Sequence, residues 1–558
     1  MIVESESLMG NKEREQQKER FQQLKKWVFP IVVIVFGGVS MWSSIALKEP
    51  YGKHQWRQCD AYSMAVNYFQ EDLKFARPEM HFQHGNGVGS GQAIGEFTAT
   101  YWLNAQLWKY IGLTPFTMRW THLFLWLLGC LALFALSKQW FGPYKAGFVI
   151  LCVLSSPLIV FYAPNYLVNV PGLGMVFLAW WAAWQIMTRP RRKVLLEGTL
   201  FVALSLSILF RPTMLLGWLP IGAWVLFQGN IGRWFWRFFC PLVLGISWIL
   251  WSKSLNRDAG SVYFLTTIRP LWHTADAAEV WRLFREDVLP EWYHVYVRSL
   301  FILVVGTIAF MAYKIRRKIE ENAESQHAPN HFGVIVAVML VGLGFYFVLW
   351  FENLDVHDYY LIEFQLLIPL LLWWLISQLD RIRGHHRQLF KVTWGVLLVA
   401  VSFQLLESHL RTRMKYKAPT GLLSELILTE RDRGIWTWFH WDQVNRFEHF
   451  LELKKAMRDY GITRESRIIS VPDPSPNITL SLLDQKGFTN LYDENMTGDD
   501  RIRFYVEKGA VYLVCNSKDW WVERSESEWL KHPIIRVHDL VVFDLLNSAA
   551  PLPDNARE

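Results

Sequence analysis

Along most of this chain, apolar residues fall in blocks of about 16–20, set apart by short polar or basic loops. As helices, such blocks match the ~20 residues needed to cross ~30 Å of hydrocarbon. They predict about eleven membrane spans, at 27–47, 119–137, 146–162, 168–187, 194–210, 213–227, 235–251, 299–313, 332–350, 359–377 and 390–406. The fifth and sixth are divided at Arg211-Pro212, a charge followed by a helix breaker. Beyond residue 406 the pattern changes. RIISV (467–471), VYLVC (511–515) and IIRVHDLVVFDLL (534–546) have strand character, while 447–460 keeps helical spacing. The expected fold is a polytopic α-helical membrane protein with a small α/β domain at its C-terminal end.

Composition and charge assign the sides. The 558 residues are 52% hydrophobic and 19% charged, too apolar for a soluble protein of this length. Thirty Trp suit membrane–water boundaries, where indole rings gather. Lys and Arg concentrate in alternate loops: Lys12 to Lys26, Lys138 and Lys145, Arg189 to Lys193, Arg233, Lys314 to Lys318, and Arg381 to Arg387. The short loops around Asn165 and Asp355 contain neither. The positive-inside rule then places the N-terminus in the cytoplasm and the C-terminal domain outside it. The expected organisation is a cytoplasmic charged leader (1–26), a membrane module (27–406) with outer loops at 48–118 and 252–298, and an extracytoplasmic α/β domain (407–558). The first span shows no small-residue cleavage site and reads as an uncleaved signal anchor.

Several functions are disfavoured. The net charge of +7 is not gathered on one soluble face, which argues against a nucleic-acid partner. No GxGxxG or P-loop lies in a cytoplasmic segment, so no nucleotide site is expected there. The five Cys lack CxxC or metal-ligand spacing; Cys59 and Cys515, outside the spans, are the two that could pair.

Ionisable groups at the outer ends of spans are the functional candidates, because charge beside hydrocarbon is costly. Asp60, in HQWRQCDAY (54–62), and Glu96 bracket the first outer loop. Asn165 and Asn169 lie four apart at the start of the fourth span, and Arg211 sits at the tip of a hairpin. His357, Asp358, Tyr359, Tyr360 and Glu363 open the tenth span, with Tyr359 and Glu363 four apart. All share one side, so convergence on one outward-facing cavity is expected. Each also has a plainer explanation. Asp60 could only cap the helix that AYSMAVNYF predicts, and Arg211 could only snorkel. The tyrosines could belong to an aromatic belt, the two Asn could bond helix to helix, and Trp56-Arg57 could anchor headgroups.

The run HQWRQCDAYSMAVNYFQ, followed by GEFTATYWLNAQLWKYIG, resembles the first outer loop of C-type (GT-C) membrane glycosyltransferases. The likeness is to bacterial integral-membrane enzymes related to protein O-mannosyltransferases and lipid A aminoarabinose transferases. SSPLIVFYAPNYLVNVPGL, LFRPTMLLGWLPI, HDYYLIEFQLLIPLL and PSPNITLSLLDQKGFTN are similar to the same family. This resemblance implies a polyprenyl-phosphate sugar as donor and a hydroxyl of a lipid, glycan or protein as acceptor. Transfer would occur at the outer face of a bacterial inner membrane, with inversion. It implies Asp60 as general base, Glu96 as an orienting carboxylate, Arg211 as phosphate partner, and His357 and Tyr360 as bonds to phosphate or sugar. Arg57, Asn165, Asn169 and Glu363 complete the expected binding set. Phe97-Thr98-Ala99-Thr100 departs from the prolines that relatives carry after the second carboxylate. A leaving monophosphate does not require metal assistance, so neither metal nor another cofactor is expected.

Two other classes compete. A transporter or flippase of lipid-linked saccharides predicts ionisable residues near mid-span and paired broken helices; the spans here are nearly free of charge at mid-depth. A non-enzymatic assembly factor would leave Asp60 dispensable. Asn477-Ile478-Thr479 and Asn495-Met496-Thr497 match glycosylation acceptor patterns.

Overall fold

The structure, a computed structural model, describes residues 27–34, 49–83, 90–188, 193–229, 231–258, 268–273, 276–289, 308, 311, 313–315, 331–383, 387–414, 418, 420–439, 447–490 and 498–546. The charged leader, the first span beyond residue 34 and nearly all of the eighth lie outside the described residues, as does the second glycosylation match.

Two helices of the first loop, α1 (Gln55–Gln70) and α2 (Ala99–Ile111), precede the bundle. The bundle comprises α3 (Phe116–Phe141), α4 (Pro143–Leu154), α5 (Pro157–Tyr162), α6 (Asn169–Thr188), α7 (Lys193–Phe210), α8 (Leu219–Gln228), α9 (Ile231–Asp258), α10 (His331–Val356), α11 (Leu367–Ile382) and α12 (Arg387–Met414). Among the described residues, six helical runs are long and apolar enough to cross a membrane, and the expected third, fifth and sixth spans are shorter apolar helices. Of the eleven expected spans, six are thus seen as full-length helices and three as shorter apolar helices, while most of the first and eighth lies outside the described residues. Two of the three shorter ones have a local cause. Pro157 cannot donate to the preceding turn, so the third span breaks between α4 and α5; the sixth begins at Pro212 as a 3-10 segment, Pro212–Trp218.

Small residues set the tightest packing. A Cβ on Gly129 of α3 would lie 2.3 Å from the carbonyl oxygen of Gly174 on α6, so only glycine permits this crossing. Arg119 at the start of α3, Tyr162 at the end of α5, Asn169 opening α6, Arg211 after α7, Asn256 in α9 and Asp358 after α10 all gather at one end of the bundle. Lys138 and Lys145 lie at the other end, where Lys145 pairs with Asp380.

The C-terminal domain forms a five-stranded sheet of order β2-β1-β3-β5-β4. Its strands are β1 (Ile468–Val471), β2 (Gly487–Phe488), β3 (Tyr512–Cys515), β4 (Pro533–Val537) and β5 (Leu540–Asp544). β1 runs parallel to β2 and β3, and β5 is antiparallel to β3 and β4. Ile468 packs with Phe450, Leu453 and Met457 of α13 (Phe450–Asp459), while its neighbour Ile469 faces Tyr505 of α14 (Gly498–Glu507). Both faces are covered, so period-two alternation shows as an unbroken apolar run. The strand-like stretch 534–546 forms two strands that reverse at His538, whose φ is 53°. Cys59 and Cys515 are both free, so they form no pair.

The first loop is built into this domain. Gln83 N–H donates to the Gly487 carbonyl (2.7 Å) and Gly487 N–H to that of His81 (3.1 Å), so the loop covers the β2 edge. Phe82 between them enters the domain core. Arg464 and Lys486 each reach Glu71 of the loop at 2.8 Å, and His81 meets Asp484 at 3.2 Å.

Candidate active site between the first loop and the bundle

Helix α1 has neither Gly nor Pro, and residues 58–68 are buried without a break. It is packed against α2, the bundle and the C-terminal domain. It starts at Gln55, after His54 turns the chain at φ 56°. Asp60 is thus inside the helix and is no N-cap, which removes the plainest explanation of this residue.

Asp60 is 3% exposed and has two partners: Asn477 Nδ2 donates to Oδ1 at 2.9 Å, and Arg57 Nη1 to Oδ2 at 3.4 Å. Arg57 Nη2 donates to Glu96 Oε1 at 2.9 Å, and the Tyr101 hydroxyl donates to Glu96 Oε2 at 2.6 Å. Burial raises the Asp60 carboxyl from 3.8 to about 6, with Glu96 adding to the rise while Arg57 and Asn477 oppose it. Burial and Glu96 likewise push the Tyr101 phenol well up, keeping it a donor.

A second cluster is centred on Arg211. Its Nε donates to Glu363 Oε1 at 3.1 Å, and Thr213 donates to the same oxygen. The guanidinium carbon lies 4.3 Å from the centroid of the Tyr360 ring. Residues Asp358–Leu366 form a 3-10 segment, in which positions three apart align, so Tyr360 and Glu363 share the face turned to Arg211. The α-helical spacing that paired Tyr359 with Glu363 does not apply there. Among the described residues, Arg211 Nη2 and Glu363 Oε2 are buried without a hydrogen-bond partner.

A cavity of about 230 Å³ joins the two clusters, with Glu96, Arg211, Lys253 and Tyr360 on its wall beside Trp248 and Trp350. His357 borders this region, stacked on Tyr359 with centroids 5.1 Å apart. Burial and the neighbouring His54 and Arg57 push its imidazole down to about 3, so it is neutral. The expected binding residues do not all converge. Asn165 turns its side-chain oxygen to the N–H of Tyr166 (2.7 Å), and Asn169 donates to the Tyr359 carbonyl at 3.4 Å.

Several groups found here carried no assigned role in the sequence. Asn477 stood out only within PSPNITLSLLDQKGFTN and as a glycosylation match; it is fully buried. Asp358 accepts from Lys53 (2.8 Å), His54 (3.0 Å) and the Tyr162 hydroxyl, and so ties the first loop to the bundle. Tyr101 and Lys253 carry no local motif. Among the described residues, His449, Glu452 and His538 form the group with donor atoms within 4.8 Å of one another, but it sits at the β4 edge, opposite the edge facing the loop.

No protein-family model matches the chain, and no curated protein matches it by sequence. Solved structures do. ArnT from Cupriavidus metallidurans, bound to undecaprenyl phosphate, aligns at a TM-score of 0.55 and 12% identity over 94% of this chain and 98% of that one. Its apo form gives 0.54 and 13%, over 95% and 100%. The chain has the GT-C-type fold. The arabinofuranosyltransferase AftD from Mycobacteria aligns at 0.51 and 13% over 93% of this chain but 40% of that one. At such identities the likeness is one of fold.

Proposed function

We propose that this GT-C-type protein is a glycosyltransferase that moves a sugar from a polyprenyl-phosphate donor to a hydroxyl of a lipid, glycan or protein. Transfer would take place at the outer face of a bacterial inner membrane. The observation that carries the proposal is the cavity shared by Glu96 and Arg211, with Asp60 one guanidinium away from Glu96. Such a site offers a base at one side and an anion-binding cation at the other. That ArnT was solved with undecaprenyl phosphate supports a lipid phosphate as the donor's carrier.

In this reading the donor phosphate lies against Arg211, whose Nη2 is available to it. The acceptor hydroxyl approaches Asp60 Oδ2, which has the longer of that carboxylate's two contacts. As the hydroxyl oxygen bonds to the anomeric carbon, its proton passes to Asp60 and the bond to the phosphate oxygen breaks. The electron pair leaves on the phosphate, and the anomeric centre inverts. A carboxylate near 6 is ionised at neutral pH yet basic enough to take the proton, a contribution typically worth 10²–10⁴-fold. Glu96 would orient the acceptor or sugar, and His357 and Tyr360 would line the donor site.

The proposal is tested with purified protein in liposomes that contain a panel of polyprenyl-phosphate sugars and envelope lipid and glycan extracts. Acceptor-dependent release of polyprenyl phosphate is expected with one donor. Movement of intact donor across the bilayer without release would favour the transporter instead.

A further inference from the structure

The carboxylate assigned as base takes one of its two hydrogen bonds from the C-terminal domain. Asn477 immediately precedes α15 (Ile478–Leu483), a helix packed against α1, and is wholly buried. Both ends of its amide are engaged. Oδ1 accepts from the backbone N–H of Phe82 at 3.1 Å, and Nδ2 donates to Asp60 Oδ1 at 2.9 Å, beside Met80 Sδ. A backbone N–H can only donate, so it fixes which end of the amide is the oxygen. The NH₂ must then face Asp60. Phe82 itself is held by its side chain in the domain core and by the paired contacts of His81 and Gln83 with Gly487. The loop, the domain and Asp60 are thereby joined through one side chain.

We infer that Asn477 is a positioning residue for the proposed transfer: it aims the Asp60 carboxylate and holds it ionised, so the C-terminal domain completes the base. This inference rests on the functional reading above. The groups facing Asp60 are Arg57 and Cys59 on its own helix, Glu96 and Tyr101 from the other side of the loop, and Asn477 from the domain, with Asp473 of the domain acting on the neighbouring Cys59. Asp473 is satisfied locally by Ser475 and Thr479. Arg57 and Asn477 are therefore the two donors that oppose burial and Glu96. A buried Asn that served packing alone would lower protein yield when replaced, but would not change proton binding at Asp60.

The test compares wild type with Asn477→Ala and Asn477→Leu in the full-length protein. Leucine is close to asparagine in volume and removes the donor to Asp60 without adding a charge beside it, so it carries the test should the alanine variant fail to fold. Transfer is measured from pH 5 to pH 9 at matched protein levels. The expected result is that the acid limb, near pH 6 in wild type, moves upward in both variants, so activity at pH 6 falls by a larger factor than at pH 8. An equal loss at every pH, with the limb in place, would overturn the inference and leave Asn477 as packing. Infrared titration of the Asp60 carboxyl, isolated by subtracting Asp60→Asn spectra, reads the same midpoint without any transfer. If wild type transfers no sugar, the functional reading fails. The infrared midpoint then still decides whether Asn477 governs Asp60: an upward move supports it and an unchanged midpoint contradicts it.

Discussion

Asp60 and Glu96 are bound to the two terminal nitrogens of a single guanidinium, that of Arg57. The sequence separates these carboxylates by most of the first loop, and the fold sets them on one cation. Arg57 both holds the pair together and offsets their mutual repulsion. Arg57→Ala should therefore reduce transfer at pH 7 by ~10²-fold or more and move the acid limb upward, because Arg57 is the largest influence lowering the Asp60 carboxyl. A pH–rate profile checks this. Arg57→Lys, which cannot reach both carboxylates in one fork, should recover only part of the rate.

The raised Asp60 carboxyl also predicts how stability depends on pH. Its folded value, about 6, exceeds the ordinary 3.8, so the folded state binds the proton more tightly. The ionised group then weighs against folding: stability from this residue is highest below pH 4 and falls as pH rises towards 6. The full effect is of order 3 kcal/mol. Asp60→Asn should consequently unfold at a higher temperature than wild type at pH 8, with the advantage shrinking by pH 5. Thermal unfolding in detergent at both pH values measures it.

Arg211 and Glu363 make a different kind of pair. Glu363 is fully buried, and its partners are Arg211 and Thr213. Glu363→Ala would leave Arg211 buried beside no carboxylate and should destabilise the protein by roughly 3 kcal/mol. Glu363→Gln, which keeps an acceptor, should cost less. Arg211→Gln should weaken binding of undecaprenyl phosphate by ~10-fold or more while the protein remains folded, as read by native mass spectrometry or a binding isotherm.

Asp358 tests how the loop is held. Its contacts with Lys53, His54 and Tyr162 tie the chain ahead of α1 to the bundle. Asp358→Ala should increase hydrogen exchange over residues 50–58 and leave the β1–β3 strands unchanged. Faster exchange throughout the protein would indicate general destabilisation instead.

Much of this was legible in the sequence, for identifiable reasons. Apolar blocks marked the bundle because hydrocarbon demands continuous burial, and β1 and β3 were visible as short β-branched runs. Asp60, Glu96, Arg211 and Tyr360 stood out because charge and polar aromatics at span ends are unusual; Glu96, Arg211 and Tyr360 line one cavity, and Asp60 is joined to Glu96 through Arg57. Other features depended on tertiary contacts. The start of α1 at Gln55 was hidden because the helix is buried on nearly every side and lacks an amphipathic boundary. The 3-10 turn at Asp358–Leu366 changed which residues share a face. Asn477 carries no motif for its contact with Asp60, since that contact spans most of the chain. The two-residue β2 was too short to read.

The most direct measurement compares wild type and Asp60→Asn, at matched protein levels in liposomes, for sugar transfer from the polyprenyl-phosphate donor that the wild type accepts. The amide preserves the shape of the carboxylate and cannot take the acceptor's proton. Asp60→Asn should lose transfer by ~10²-fold or more with donor binding retained. Equal transfer by both proteins would contradict Asp60 as the base.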